Sequence, residues 1–274
     1  MQQMANTSGF VTVEGLEVYY EVHGALGTEV TPLVLLHGGA MAIETGFGDD
    51  LLPRFAGSRT VIAIEQQGHG HTGDRPGPAS IERMVEDTSA VLRALGSEPA
   101  DLLGHSLGGI IALGMGVRHP DQVRSLTTLG TFSELDGMLP ELARMQRGQQ
   151  DEPSAELTPL LPTEQDFARW RAHFERHAPD PTRFDAVMQK LNMMLGQWRG
   201  WSAADLHAIA APTLVAIGDN DFVRVEHAAE MARLIPHAQL TVLPGTTHMN
   251  IVARGAWLQP MMEAMQQSAQ MNGG

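Results

Sequence analysis

The stretch Gly104-His105-Ser106-Leu107-Gly108 sets one serine between glycines, with a further glycine, Gly109, immediately after. A serine hydroxyl attacks a carbonyl only when a base removes its proton, and histidine is the side chain that titrates near neutrality. Of the 12 histidines, His248 is set apart because it follows an apolar run, 239–243, and a Pro244-Gly245 turn. That position is the carboxyl edge of a strand, where open α/β sheets hold their ligands. A carboxylate accepting the imidazole's second N–H would fix its tautomer and stabilise the imidazolium. Asp219 and Asp221 both follow the apolar run that ends at Ile217, and Glu134 and Asp136 follow an earlier one, so the spacing alone leaves the acid open.

These residues need a scaffold, and the chain carries one. Residues 11–13 and 16–22, parted by Gly15, read as an opening antiparallel hairpin. Short apolar runs at 33–36, 60–64, 101–103, 123–129, 213–217 and 239–243 read as buried strands. Helical spacing separates them: Ser80 caps a helix whose Ile81, Met84, Val85, Thr88, Leu92 and Leu95 share one face, and Gly96 ends it. The fold class is therefore α/β, a mostly parallel, doubly wound sheet. Ser106 falls where strand 101–103 meets helix 109–118, so the glycines flank a turn too tight for side chains, a nucleophile elbow. From Phe132 to Asp205 the β-branched runs stop. Apolar residues there recur every three or four positions, which predicts an inserted α-helical cap over 132–205 on a core of 1–131 and 206–274.

Taken together, His37-Gly38-Gly39, Gly68-His69-Gly70, Gly104 to Gly109, Gly218 to Asp221 and Gly245-Thr246-Thr247-His248 make the chain resemble an α/β-hydrolase fold protein with a helical cap, over nearly its whole length. The resemblance implies Ser106 as nucleophile, His248 as base and Asp221, the third residue after Gly218, as the acid, in the family's order Ser, Asp, His. It leaves Asp219 as a turn former and ranks Glu134 and Asp136 lower. The oxyanion hole falls to the backbone N–H groups of Leu107 and Gly39. Where the family often has an arginine before Gly-His-Gly, this chain has Gln66 and Gln67.

Composition narrows the partners. With 32 acidic against 18 basic residues, a formal charge of -14 repels phosphate backbones and anionic bilayers, so no nucleic-acid or membrane partner is expected. Zero cysteines exclude disulfides and thiolate metal sites. Residues 1–10 lack a basic start and an apolar run, and the expected location is cytoplasmic. Gly68-His-Gly-His-Thr-Gly73 fits a dinucleotide fingerprint, but Asp74-Arg-Pro-Gly-Pro78 follows in place of a helix, and no ligand cluster in sequence completes a metal site around His69 and His71. No cofactor or metal is expected. Trp170, Met193 and Trp198, in the insertion, are the candidate substrate contacts, and soft methionines suit an apolar pocket. The expected substrate is a neutral, largely apolar small-molecule ester or lactone. The alternatives on the same triad are a cofactor-free perhydrolase or haloperoxidase, a carbon–carbon bond hydrolase, or a ligand-binding, receptor-like relative; oligomeric state is left open.

Overall fold

A computed structural model describes residues 6–24 and 30–272; residues 1–5, at the start of the segment searched for a targeting signal, lie outside the described residues. The strands are β1 (Asn6–Val13), β2 (Leu16–His23), β3 (Leu33–Leu36), β4 (Val61–Ile64), β5 (Ala100–His105), β6 (Val123–Leu129), β7 (Thr213–Asn220) and β8 (Ala238–Thr247). They form one sheet in the order β1-β2-β4-β3-β5-β6-β7-β8. β1 pairs antiparallel with β2, and β2 with β4; every other pairing is parallel. Every sequence-predicted strand lies in this sheet.

The helices are α1 (Ile43–Phe47), α2 (Leu51–Ala56), α3 (Ile81–Leu95), α4 (Leu107–Arg118), α5 (Pro140–Gln146), α6 (Glu164–His177), α7 (Phe184–Gln197), α8 (Ala203–His207), α9 (Val225–Leu234) and α10 (Gly255–Asn272). Helices cover both faces of the sheet, which explains why β3, β4 and β5 are buried along their whole length without alternation. In β3, Val34 and Leu36 enter the larger core with Ile110 and Ile111 of α4. Leu33 and Leu35 enter the smaller core with Phe47 of α1 and Leu258 of α10. α3 starts and stops as its ends dictate: Ser80 accepts the Arg83 N–H, and Gly96 closes the helix in the left-handed conformation.

Between β6 and β7 the chain runs through α5, α6, α7 and α8, with no strand among residues 132–205. α8 spans positions 205 and 206, and the chain re-enters the sheet at Thr213. Among the described residues, no helix is long and apolar enough to cross a membrane.

Candidate active site

β5 delivers Ser106 and α4 leaves from it. Ser106 has φ 51° and ψ −115°, outside the ordinary regions for a side-chain-bearing residue and worth roughly 1–3 kcal/mol of strain. Three glycines make the turn sterically feasible. A Cβ on Gly104 would collide with the Gly108 carbonyl, one on Gly108 with the Leu36 carbonyl, and one on Gly109 with Thr131. The Ser106 N–H donates to Leu129 O at 2.9 Å, tying the elbow to β6.

His248 lies just beyond β8 and is buried. Its Nδ1–H donates to Asp221 Oδ1 at 2.9 Å, and the same oxygen accepts the Val223 N–H at 2.8 Å. That pairing leaves Nε2 as the basic nitrogen and orients it. Phe222 stacks on the imidazole with ring centroids 3.8 Å apart, and His105 Nε2 meets the His248 carbonyl oxygen at 2.9 Å as donor. Burial, reinforced by the nearby His248, pulls His105 down to about 3, so it is a neutral brace for the loop. The other carboxylates are engaged elsewhere. Asp219 is exposed and accepts the Thr246 N–H at 3.0 Å, which holds its carboxyl below the usual range; Asp136 pairs with Arg147, and Glu134 is exposed.

The His37-Gly38-Gly39 loop is held from beneath by two neutral histidines. His37 donates from Nδ1 to Gly38 O at 2.9 Å and accepts the Gln66 N–H at 3.1 Å. Burial, together with neighbouring His69, lowers it to about 3. His69 donates to Gln67 O at 3.0 Å and accepts the Ala40 N–H at 3.1 Å; burial keeps it, too, below its ordinary value. Both nitrogens of His69 are thus committed to the backbone, which removes it as a metal ligand. The steric demand for glycine is at position 38, where a Cβ would sit 2.8 Å from His105 Nδ1. At Gly39 the nearest atom is Leu107 Cδ2 at 4.0 Å. Leu107 opens α4, and its N–H has no partner within the helix.

Ser106, His248, Leu107 and Gly39 line one cavity of about 350 Å³. Its remaining walls include Phe132, Met138, Leu142, Trp170, Met188 and Leu191, and among the described residues no Asp, Glu, Lys or Arg lines it.

A family model described as alpha/beta hydrolase fold matches residues 31–253. The chain belongs to the α/β-hydrolase fold family. It is 40% identical over 103 residues to a 2-hydroxymuconate semialdehyde hydrolase of Pseudomonas sp. strain CF600, a match that spans 36% of each chain. It is 38% identical over 108 residues to a pimeloyl-(acyl-carrier protein) methyl ester esterase of Neisseria meningitidis, covering 39% of each. The chain thus spans well under half the length of these curated relatives. The solved structure of Est816, described as an N-acyl homoserine lactone degrading enzyme, is similar across 93% of this chain and 99% of its own, with 28% identity and a TM-score of 0.70.

Within this α/β-hydrolase fold Trp170 lines the cavity, whereas the two other candidate contacts, Met193 and Trp198, do not. Met193 is 56% exposed, because α7 turns Met188, Leu191, Asn192 and Leu195 to the cavity and leaves position 193 outside that stripe. Trp198 packs edge-on against Phe132 and Trp201, at 6.4 and 6.1 Å between ring centroids, and is not part of the lining. Sequence reasoning also missed residues. Phe222 adjoins Asp221 and would have been found by asking what packs on His248. Gln146 and Asn192, the polar side chains on the helical wall, carry no sequence signal that distinguishes them from solvent-facing positions.

Proposed function

We propose that this chain is a serine hydrolase that cleaves a neutral, largely apolar carboxylic ester or lactone through an acyl-enzyme on Ser106, His248 and Asp221. The observation that carries the reading is the 2.9 Å His248–Asp221 bond at the edge of the cavity that Ser106 also lines. In this mechanism Ser106 Oγ attacks the carbonyl carbon as His248 Nε2 takes its proton. The N–H groups of Leu107 and Gly39 receive the tetrahedral oxyanion. Collapse breaks the acyl–oxygen bond, and imidazolium protonates the departing alkoxide, which stays tethered if the substrate is a lactone. His248 then deprotonates a water that attacks the acyl group, releasing the acid and restoring the serine hydroxyl.

The helices of 132–205 act here as a cap that supplies the acyl wall. An uncharged lining supports a neutral substrate, since a carboxylate would enter without a cation to meet it. Gln146 Oε1 is buried without a hydrogen-bond partner, an acceptor that an N–H on an acyl chain would satisfy. The likeness to a lactone-degrading enzyme makes N-acyl lactones natural members of the substrate panel.

A fluorophosphonate probe tests the chemistry without a known substrate, because phosphonylation needs the same activated hydroxyl and oxyanion donors. Intact-mass measurement is expected to show one adduct, lost in Ser106→Ala, with ester turnover falling by several orders of magnitude. The absence of any adduct on the folded chain would overturn the reading, as would undiminished turnover in Ser106→Ala.

A further inference from the structure

α6 carries His173 and His177 four residues apart, one helical turn, so both rings project from the same face. That face meets Glu44 of α1, whose Oε2 lies 3.5 Å from His173 Nε2. One ligand atom each from Glu44, His173 and His177 can be chosen so that all lie within 4.8 Å of one another. We infer that Glu44, His173 and His177 form a binding site for a zinc-class divalent cation that ties α6 to α1.

A tetrahedral ion with nitrogen and oxygen ligands at 2.0–2.1 Å sets neighbouring donors roughly 3.3 Å apart. The Glu44–His173 edge is already near that length. Side-chain rotation supplies the rest, about 1.5 Å at most for the widest pair. Glu44 has the freedom to do so, being 70% exposed, while His173 is buried and fixed. A mixed imidazole and carboxylate set suits zinc, cobalt, nickel or copper, whereas calcium and magnesium require oxygen-rich cages.

The surroundings fit the same ligand. His71 stands 4.5 Å from His177 between ring centroids, and His177 is 4.5 Å from His173. His71 Nδ1 bonds Glu65 Oε2 at 3.0 Å, which fixes that ring beside the two α6 histidines. Three imidazoles this close gain little from one another. A cation makes their proximity favourable. Trp170, one turn before His173, lines the catalytic cavity, so an ion here braces the wall that contacts substrate without entering the Ser106 chemistry.

Calorimetric titration of zinc into the full, chelator-treated chain should give one saturable site. Glu44→Gln and His177→Ala should each weaken it at least tenfold, while His119→Ala, a histidine paired with Glu86 elsewhere, leaves it unchanged. Glu44→Gln is exposed and conservative, so far-ultraviolet circular dichroism matching the unaltered chain will separate lost ligation from lost folding. Zinc should also raise Tm in the unaltered chain and not in Glu44→Gln, with magnesium raising neither. The absence of a saturable zinc site, or a site unaffected by both Glu44→Gln and His177→Ala, overturns the inference. None of these readouts depends on ester hydrolysis.

Discussion

Gly130 lies directly against the Asp221 carboxylate. A Cβ built on it would stand 2.8 Å from Asp221 Oδ2 and 3.0 Å from His248 Nδ1. Gly130 also adopts φ +54°, in the left-handed region, while its N–H donates to Ala216 O at 2.9 Å. The end of β6 therefore turns beneath the hydrogen-bonded Asp221 and His248 side chains with no room for a side chain of its own.

Gly130→Ala is expected to displace the carboxylate from the imidazole. A shift on the order of 1 Å lowers kcat by roughly 10²-fold. Steady-state kinetics and the rate of fluorophosphonate labelling should fall together, while circular dichroism stays that of the folded chain. Unaltered kcat would show that the pair tolerates the methyl.

The two neighbouring carboxylates should separate cleanly. Asp221→Asn leaves the amide unable to fix the productive tautomer of His248 and should cost roughly 10⁴ in kcat. Asp219→Asn loses a charged acceptor for the Thr246 N–H and the Asn220 side-chain amide, away from His248, and should cost a few-fold. Comparing kcat for the two purified variants on one ester decides the matter, and the reverse ranking would transfer the acid to position 219.

His37 and His105 give stability a definite pH dependence. Each is held near 3 in the folded chain against an ordinary 6.5, so the unfolded chain binds more protons between these values. Their contribution is fully present above about pH 6.5 and is lost as pH falls through that window toward 3. At about pH 5 the loss is roughly 2 kcal/mol per histidine. Urea unfolding at neutral and mildly acidic pH measures it; a stability independent of pH across this range would contradict the buried neutral state of both rings.

The strand set and the elbow were legible because their causes are local. Buried parallel strands demand unbroken apolar runs, and a serine forced to φ 51° between β5 and α4 demands small neighbours at 104, 108 and 109. Gly38 and Gly39 were legible as a glycine loop. Which of them is crowded was not, because the crowding atom belongs to His105, 67 positions away from Gly38 in a chain whose loop order gives no distances.

The sequence by itself determined the sheet and the serine's turn, since each rests on composition and spacing within a few residues, whereas the roles expected of Ser106, Asp221 and His248 came from the family resemblance. Tertiary structure decided the rest. Asp219 and Asp221 are two positions apart, and only the irregular β7–β8 register around Gly218 and Asn220 turns one toward Thr246 and the other toward His248. Met193 and Leu191 are equally apolar, yet the rotation of α7 against the core makes one surface and the other wall. Glu44 and His173 are separated by 129 residues and meet only because α6 packs on α1. Side-chain direction in loops and helix rotation are set by packing between distant segments, and no local pattern encodes them.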